Sequence, residues 1–221
     1  MQRSGGGGVA GEIDVISRGP LISTFRQRSI LAVTMSRKES RFILIDDYTP
    51  KALLNFDGTE VVITPKLVLF WKPPSPFGQW TVSPFEVEGE IYLCAEQYMM
   101  AEKARLFGDF EIEQQIMNSD SPLRQQKLGK QVSGFTEERW AAERFNVVFR
   151  GNLAKFTQNE YFKALLLDTG DRRMVEASPI DRIWGIGLSA NNPMAYDPKK
   201  WLGLNLLGKV LEDVRALLRD G

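Results

Sequence analysis

The sequence predicts an α+β fold, a compact single domain with several helices around a small β-sheet, and three observations carry that expectation. Short apolar runs rich in Val, Ile and Phe fill the stretch from Arg41 to Tyr92, punctuated by Gly and Pro. From Ala95 the spacing of apolar residues changes to three and four, the period of a helix. The 221 residues, 43% hydrophobic and 25% charged, suit one folded core with a tail and exclude a wholly disordered or fibrous chain.

Taken in order, residues 1–40 read as a flexible leader, Gly- and Ser-rich with arginines at 3, 18, 26 and 28. An organelle transit segment over residues 1–35 is the alternative, opposed by Glu12 and Asp14, and Met35 is a candidate second start. The domain is expected over 41–221. Arg41–Tyr48 and, after the turn Asp57-Gly58, Thr59–Trp71 read as strands. Lys72–Phe77 holds three prolines, which supply no ladder donors, so it reads as a loop. Ser83–Tyr92 reads as strand, turn and strand around Gly89. Helices are expected over Ala95–Phe107, Asp109–Asn118 and from Ser121-Pro122, where Ser suits the cap and Pro the first turn. A longer helix runs from Thr136 towards Phe156, a short one covers 158–167, and 173–176 is a strand. The terminal helix, 204–219, places Leu207, Val210, Leu211, Val214, Leu217 and Leu218 on one face.

Composition also bounds the chemistry. Lys+Arg 28 balance Asp+Glu 28, so bulk positive charge does not drive nucleic-acid binding, although a local basic pocket remains open. One cysteine, Cys94, and no histidine exclude disulfide frameworks, Cys-based zinc cages, imidazole bases and His-containing triads. No metal or cofactor is expected. No apolar run approaches the ~20 residues of a membrane span, so the expected setting is intracellular, cytoplasmic or nuclear, away from membranes, with organelle import through residues 1–35 as the alternative.

Two segments concentrate unusual residues. In the helix from Ala95, Met99, Met100, Leu106 and Phe107 form an apolar stripe with Glu96 and Lys103 in its middle. Seven residues apart, the pair shares a face over ~10 Å of axis. A satisfied buried pair would explain it structurally; a cleft lined by both would explain it functionally, because unpaired charge on an apolar face is costly. In Val175–Leu188, Glu176 and Asp181 flank Ser178-Pro179, and Trp184 adjoins Gly185-Ile186-Gly187. A tryptophan beside glycines offers a flat face for a base or sugar, or is simply a core residue at a turn. Gln79-Trp80 is a similar polar and aromatic pair. Arg124, Lys127 and Lys130 either receive a phosphate near a helix start or form a solvated face.

These residues stand in motifs that resemble the NADAR (YbiA-like) family of N-glycosidases: Phe77-Gly-Gln-Trp80, Ser83–Gly89, Ala95–Lys103, Lys127-Leu-Gly-Lys130, Val175–Gly185 and Asn205-Leu-Leu-Gly208. The resemblance covers roughly residues 66 to 221; residues 41–65 match loosely and the first 40 not at all. Gln79 stands where some members carry Asn. The resemblance implies a compact α+β unit that hydrolyses the bond between a ribose anomeric carbon and an amine nitrogen. It implies two substrate classes, ADP-ribosylated guanine, in DNA, RNA or a nucleotide, and early riboflavin-pathway intermediates; a non-catalytic ADP-ribose reader is the third reading. The expected catalytic residues are Glu96, with Asp181 as its partner, and Lys103 as proton donor or Schiff-base amine. Gln79, Trp80, Tyr98, Lys127, Lys130, Glu176, Trp184 and Gly185 are the expected substrate contacts.

Overall fold

A computed structural model describes the backbone of residues 42–44 and all atoms of residues 61–220. The expected leader, its boundary with the domain and the Asp57-Gly58 turn lie outside the described residues. Within them the order is β1 (Phe42–Leu44), β2 (Val61–Ile63), β3 (Leu67–Phe70), the hairpin β4 (Phe85–Val87) and β5 (Glu90–Tyr92), then α1 (Ala95–Phe107), α2 (Phe110–Met117), α3 (Pro122–Gly129), α4 (Glu137–Gln158), α5 (Glu160–Asp168), β6 (Arg173–Glu176) and α6 (Leu206–Asp220).

The main sheet has the order β1-β2-β3-β6. β2 and β3 are antiparallel across a turn that Pro65 opens and Thr64 closes, its Oγ1 accepting the Leu67 N–H at 2.8 Å. β3 and β6 run parallel, with Leu69 opposite Val175. All four residues of β3 are apolar and buried because both faces of the strand are covered. Val68 and Phe70 face the helical core with Met174, Leu207 and Val210. Leu67 and Leu69 face the opposite way, against Val175, Ala177, Ile186 and Leu188 of the segment after β6. The β4–β5 turn places Glu88 and Gly89 at φ 54° and 84°, the left-handed pair that a two-residue hairpin turn requires.

Helix starts follow local chemistry: Asp109, Ser121 and Thr136 each accept a backbone N–H three residues on. α1 and α5 lack such a bond; at the start of α1 the Cys94 thiol donates to Gln125 Oε1 at 3.4 Å and caps no backbone N–H. The Gln79 carbonyl accepts the Glu96 N–H at 3.0 Å instead, tying the loop after β3 to the first turn of α1. α1 packs on α2, α3 and α4. Its contact with α4 needs Gly151, where a Cβ would lie 2.4 Å from the Tyr98 ring. The segment between β6 and α6 contains two 3-10 turns, Pro193–Tyr196 and Pro198–Lys200, capped by Asn192 and Asp197. Among the described residues no helix is long and apolar enough to cross a membrane.

The outward edge of β6 is satisfied by side chains. Asn205 accepts the Glu176 N–H at 3.0 Å and donates to the Met174 carbonyl at 2.8 Å, while Glu212 accepts the Met174 N–H at 2.8 Å. Asn205 itself sits at φ 54°. Gly208 lets this happen, because a Cβ there would stand 2.1 Å from the Met174 carbonyl oxygen.

Candidate active site

Parallel strands β3 and β6 end side by side, and the chain beyond each carboxyl end opens onto one cavity of about 430 Å³. β3 leads into Trp71 and Lys72, the following loop contributes Gly78, Gln79 and Trp80, and β6 contributes Glu176 with Ser178 behind it. The facing wall is α1, through Glu96, Met99, Met100 and Lys103. α3 adds Leu123, Gln126, Gly129 and Lys130, and the turn after β6 adds Ile180, Asp181, Ile183 and Trp184.

At the closed end sit three carboxyl groups. Glu96, in the first turn of α1, is 2% exposed, and its Oε1 has no partner. Glu176 Oε2 is likewise shielded and unpartnered. Burial raises both pKa values far above the usual carboxylate range; Asp181 pushes both the same way and Glu96 adds to the rise at Glu176, while a hydrogen bond from Trp80 and the charge of Lys130 pull Glu96 back in part. Like charges gathered in one pocket favour retention of a proton. Asp181 is anchored differently: its Oδ1 accepts the N–H groups of Ile183 and Trp184 at 2.7 and 2.8 Å, which folds the turn and aims the Trp184 indole at the cavity.

Lys103 lines the same cavity, as its place in the apolar stripe predicts, but its ammonium is not idle. Nζ donates to the Gly129 carbonyl at the end of α3 at 2.7 Å and lies 4.0 Å from the Phe135 ring centroid. Burial lowers its pKa, against the attraction of Glu137.

The cavity thus gathers Glu96, Lys103, Asp181, Gln79, Trp80, Lys130, Glu176 and Trp184. Three expected contacts are elsewhere. Tyr98 is 2% exposed and packs with Phe85 and Tyr92, its ring 5.0 Å from that of Tyr92, so it is a core residue. Lys127 is exposed and does not line the cavity, although its neighbour Gln126 does. Gly185 acts through its missing side chain, since a Cβ would lie 2.9 Å from the Glu176 carbonyl that the Ile186 N–H binds at 2.9 Å. The reading from sequence missed Trp71 and Lys72, which follow β3, and Leu123, an apolar residue in the first turn of α3, none of which stands in a charged or aromatic motif. It also missed Asn152 and Lys155 of α4, both fully buried directly behind the cavity wall.

Such an arrangement supplies a proton donor, a carboxylate that can face a developing cation, aromatic faces and cations at the mouth. A family model of the NADAR domain matches residues 69–219. An N-glycosidase of Acanthamoeba polyphaga mimivirus is 44% identical over 144 residues, covering 63% of this chain and 85% of its own. Protein irg-1 of Caenorhabditis elegans is 36% identical over 184 residues, covering 76% of this chain and 84% of its own. N-glycosidase YbiA of Escherichia coli is 28% identical over 144 residues, 65% of this chain and 79% of its own. The solution structure of E. coli YbiA superposes with a TM-score of 0.59 at 24% identity, over 77% of this chain and 94% of that one, and so shares the α+β fold. With its matched stretch running from β3 to α6, the chain belongs to the NADAR domain family.

Proposed function

We propose that the protein is an N-glycosidase that hydrolyses the ribose–amine bond of ADP-ribosylated guanine and releases ADP-ribose. The observation that carries the reading is the buried pair Glu96 and Glu176, each with an unpartnered oxygen in the cavity. Because burial and mutual repulsion keep a proton on the pair, one member is an acid at neutral pH. Glu176 gives that proton to the departing amine nitrogen as the bond to the anomeric carbon breaks. Glu96, the ionised member of the pair, then faces the oxocarbenium ion with Asp181. Water attacks the anomeric carbon and yields its proton to the Glu96 carboxylate, and passage of that proton to Glu176 restores the pair. Trp71, Trp80 and Trp184 suit a nucleobase, and Lys72 and Lys130 suit phosphate oxygens. Relatives named N-glycosidase support the reaction class.

A second route uses Lys103. Burial lowers its pKa, the direction that favours a neutral amine, and a ring-opened sugar imine would accept that amine as a Schiff base. Borohydride added during turnover then traps an ADP-ribose-mass adduct on Lys103, whereas the acid–base route leaves none. The substrate assignment is tested by incubating the protein with an ADP-ribosylated guanine oligonucleotide and, separately, with an aminopyrimidine ribosyl phosphate. Free ADP-ribose from the first and no cleavage of the second is the expected result; the reverse moves the substrate to the riboflavin class.

A further inference from the structure

Glutamine 79 presents a puzzle of polarity. It is 7% exposed and lines the cavity, and its Nε2 is buried with no partner. A side-chain amide can rotate half a turn to exchange oxygen and nitrogen, so an unpartnered NH2 group ordinarily flips to find an acceptor. Here it is held. Asn152 of α4, fully buried, donates through Nδ2 to the carbonyl of Val148 at 2.8 Å and to Oε1 of Gln79 at 3.0 Å. The Val148 carbonyl only accepts, so the Asn152 group facing it must be the NH2. An NH2 group in turn dictates that Gln79 meets it with oxygen. The main chain of α4 therefore sets the orientation of an amide in the cavity wall through one intermediate residue. Three positions on, Lys155 is also fully buried and donates through Nζ to the Gly78 carbonyl at 3.0 Å. Two successive loop residues are thus gripped from α4, and the Gln79 carbonyl binds the start of α1. The loop has no freedom to carry its amide elsewhere.

We infer that Asn152 is a positioning residue that fixes the Gln79 amide with its NH2 group as a hydrogen-bond donor to an oxygen of the ligand's ribose or phosphate. A buried donor left without a partner is unfavourable in the empty protein, and the ligand oxygen relieves that penalty on binding. The same donor disfavours a ligand that brings an N–H group to this position. The ribose or phosphate identity of the ligand oxygen rests on the proposed N-glycosidase reading; the polarity of the amide does not.

Asn152→Asp tests both parts, because a carboxylate of the same shape accepts where Asn152 donates. In the ligand-free variant the Gln79 NH2 group turns to the new carboxylate, and its side-chain amide resonances, assigned by their loss in Gln79→Glu, move downfield. Resonances that keep their wild-type positions in a folded variant overturn the inference. Affinity is read with ADP-ribose and with ribose 5-phosphate as probes. Asn152→Asp weakens binding about tenfold, the size of one hydrogen bond, but adds no further loss on a Gln79→Ala background. Additive losses in that cycle indicate a general structural role and also overturn the inference. If Asn152→Asp does not fold, the wild-type Gln79 amide resonances decide alone: they shift when a probe saturates the site, and an unchanged amide under saturation sinks the proposal. Wild-type protein that binds neither probe refutes the ribosyl reading, and the ligand-free amide resonances still judge the polarity.

Discussion

Glu96 and Glu176 are close to isosteric with glutamine, so replacement separates charge from shape. Glu96→Gln keeps the fold and ADP-ribose binding while turnover falls by ~10²–10⁴-fold, the usual loss on removing a general acid or base. Full activity in that variant takes Glu96 out of the reaction. At Trp184, which lines the cavity yet also packs on the core, two substitutions divide the roles. Trp184→Ala weakens affinity by about one to two orders of magnitude and Trp184→Phe recovers part, as expected for stacking worth ~1–3 kcal/mol. Equal losses together with an equal fall in Tm would make it a core residue only. Residues of this kind were legible in the sequence because they break a pattern: Glu96 and Lys103 are charges on an apolar stripe. Asn152 and Lys155 break none. They occupy polar positions on a long helix of mixed character, and their partners, Gln79 and Gly78, lie more than seventy residues away in the chain. Tyr98 is the opposite case: two residues after Glu96 it lies about 200° around the helix, on the side that packs into the core.

Elements were legible where their ends carry chemistry. Ser121 and Pro122 marked α3 and the apolar period marked α6, whereas the 3-10 turns are too short to show a period. Close approach was illegible, since a glycine in a helix looks the same whether it faces solvent or a carbonyl. Gly208 is the sharpest case. Gly208→Ala inserts a methyl 2.1 Å from the Met174 carbonyl oxygen and 2.3 Å from Asn205 Nδ2, so α6 must retreat from β6. The expected outcome is a clear drop in Tm and, because Asn205 also holds the Glu176 N–H, a loss of activity out of proportion to the unfolded fraction. An alanine variant with wild-type Tm would show that α6 shifts at no cost.

The whole molecule carries the electrostatic consequence of burying these carboxyl groups. Folding holds a proton on the pair Glu96 and Glu176 that the unfolded chain releases near the ordinary carboxylate pKa. Between about pH 5 and 7 the folded state therefore binds more protons than the unfolded one, and stability falls as pH rises. Lys155, pushed down to about 7 by burial, acts with the opposite sign above that pH, where the folded state has shed a proton that the unfolded chain keeps. Thermal melts of the ligand-free protein should show Tm declining from pH 5 to 7 and levelling above it. The double variant Glu96→Gln, Glu176→Gln should lose the decline; a Tm that rises through this range would contradict the raised pKa values.

The strand that delivers Glu176 is also the last strand of its sheet, and such a strand ordinarily offers its free backbone groups to any passing chain. In β6 those groups are already taken, at Met174 and Glu176, by Asn205 and Glu212. The sheet is closed to recruitment from that side by two side chains instead of by another strand. An acidic residue on a strand open to pairing would be dragged out of alignment whenever a neighbour docked one residue out of step. Here no docking position exists, so the proton-carrying glutamate keeps its address even in a crowded solution of other unpaired strands.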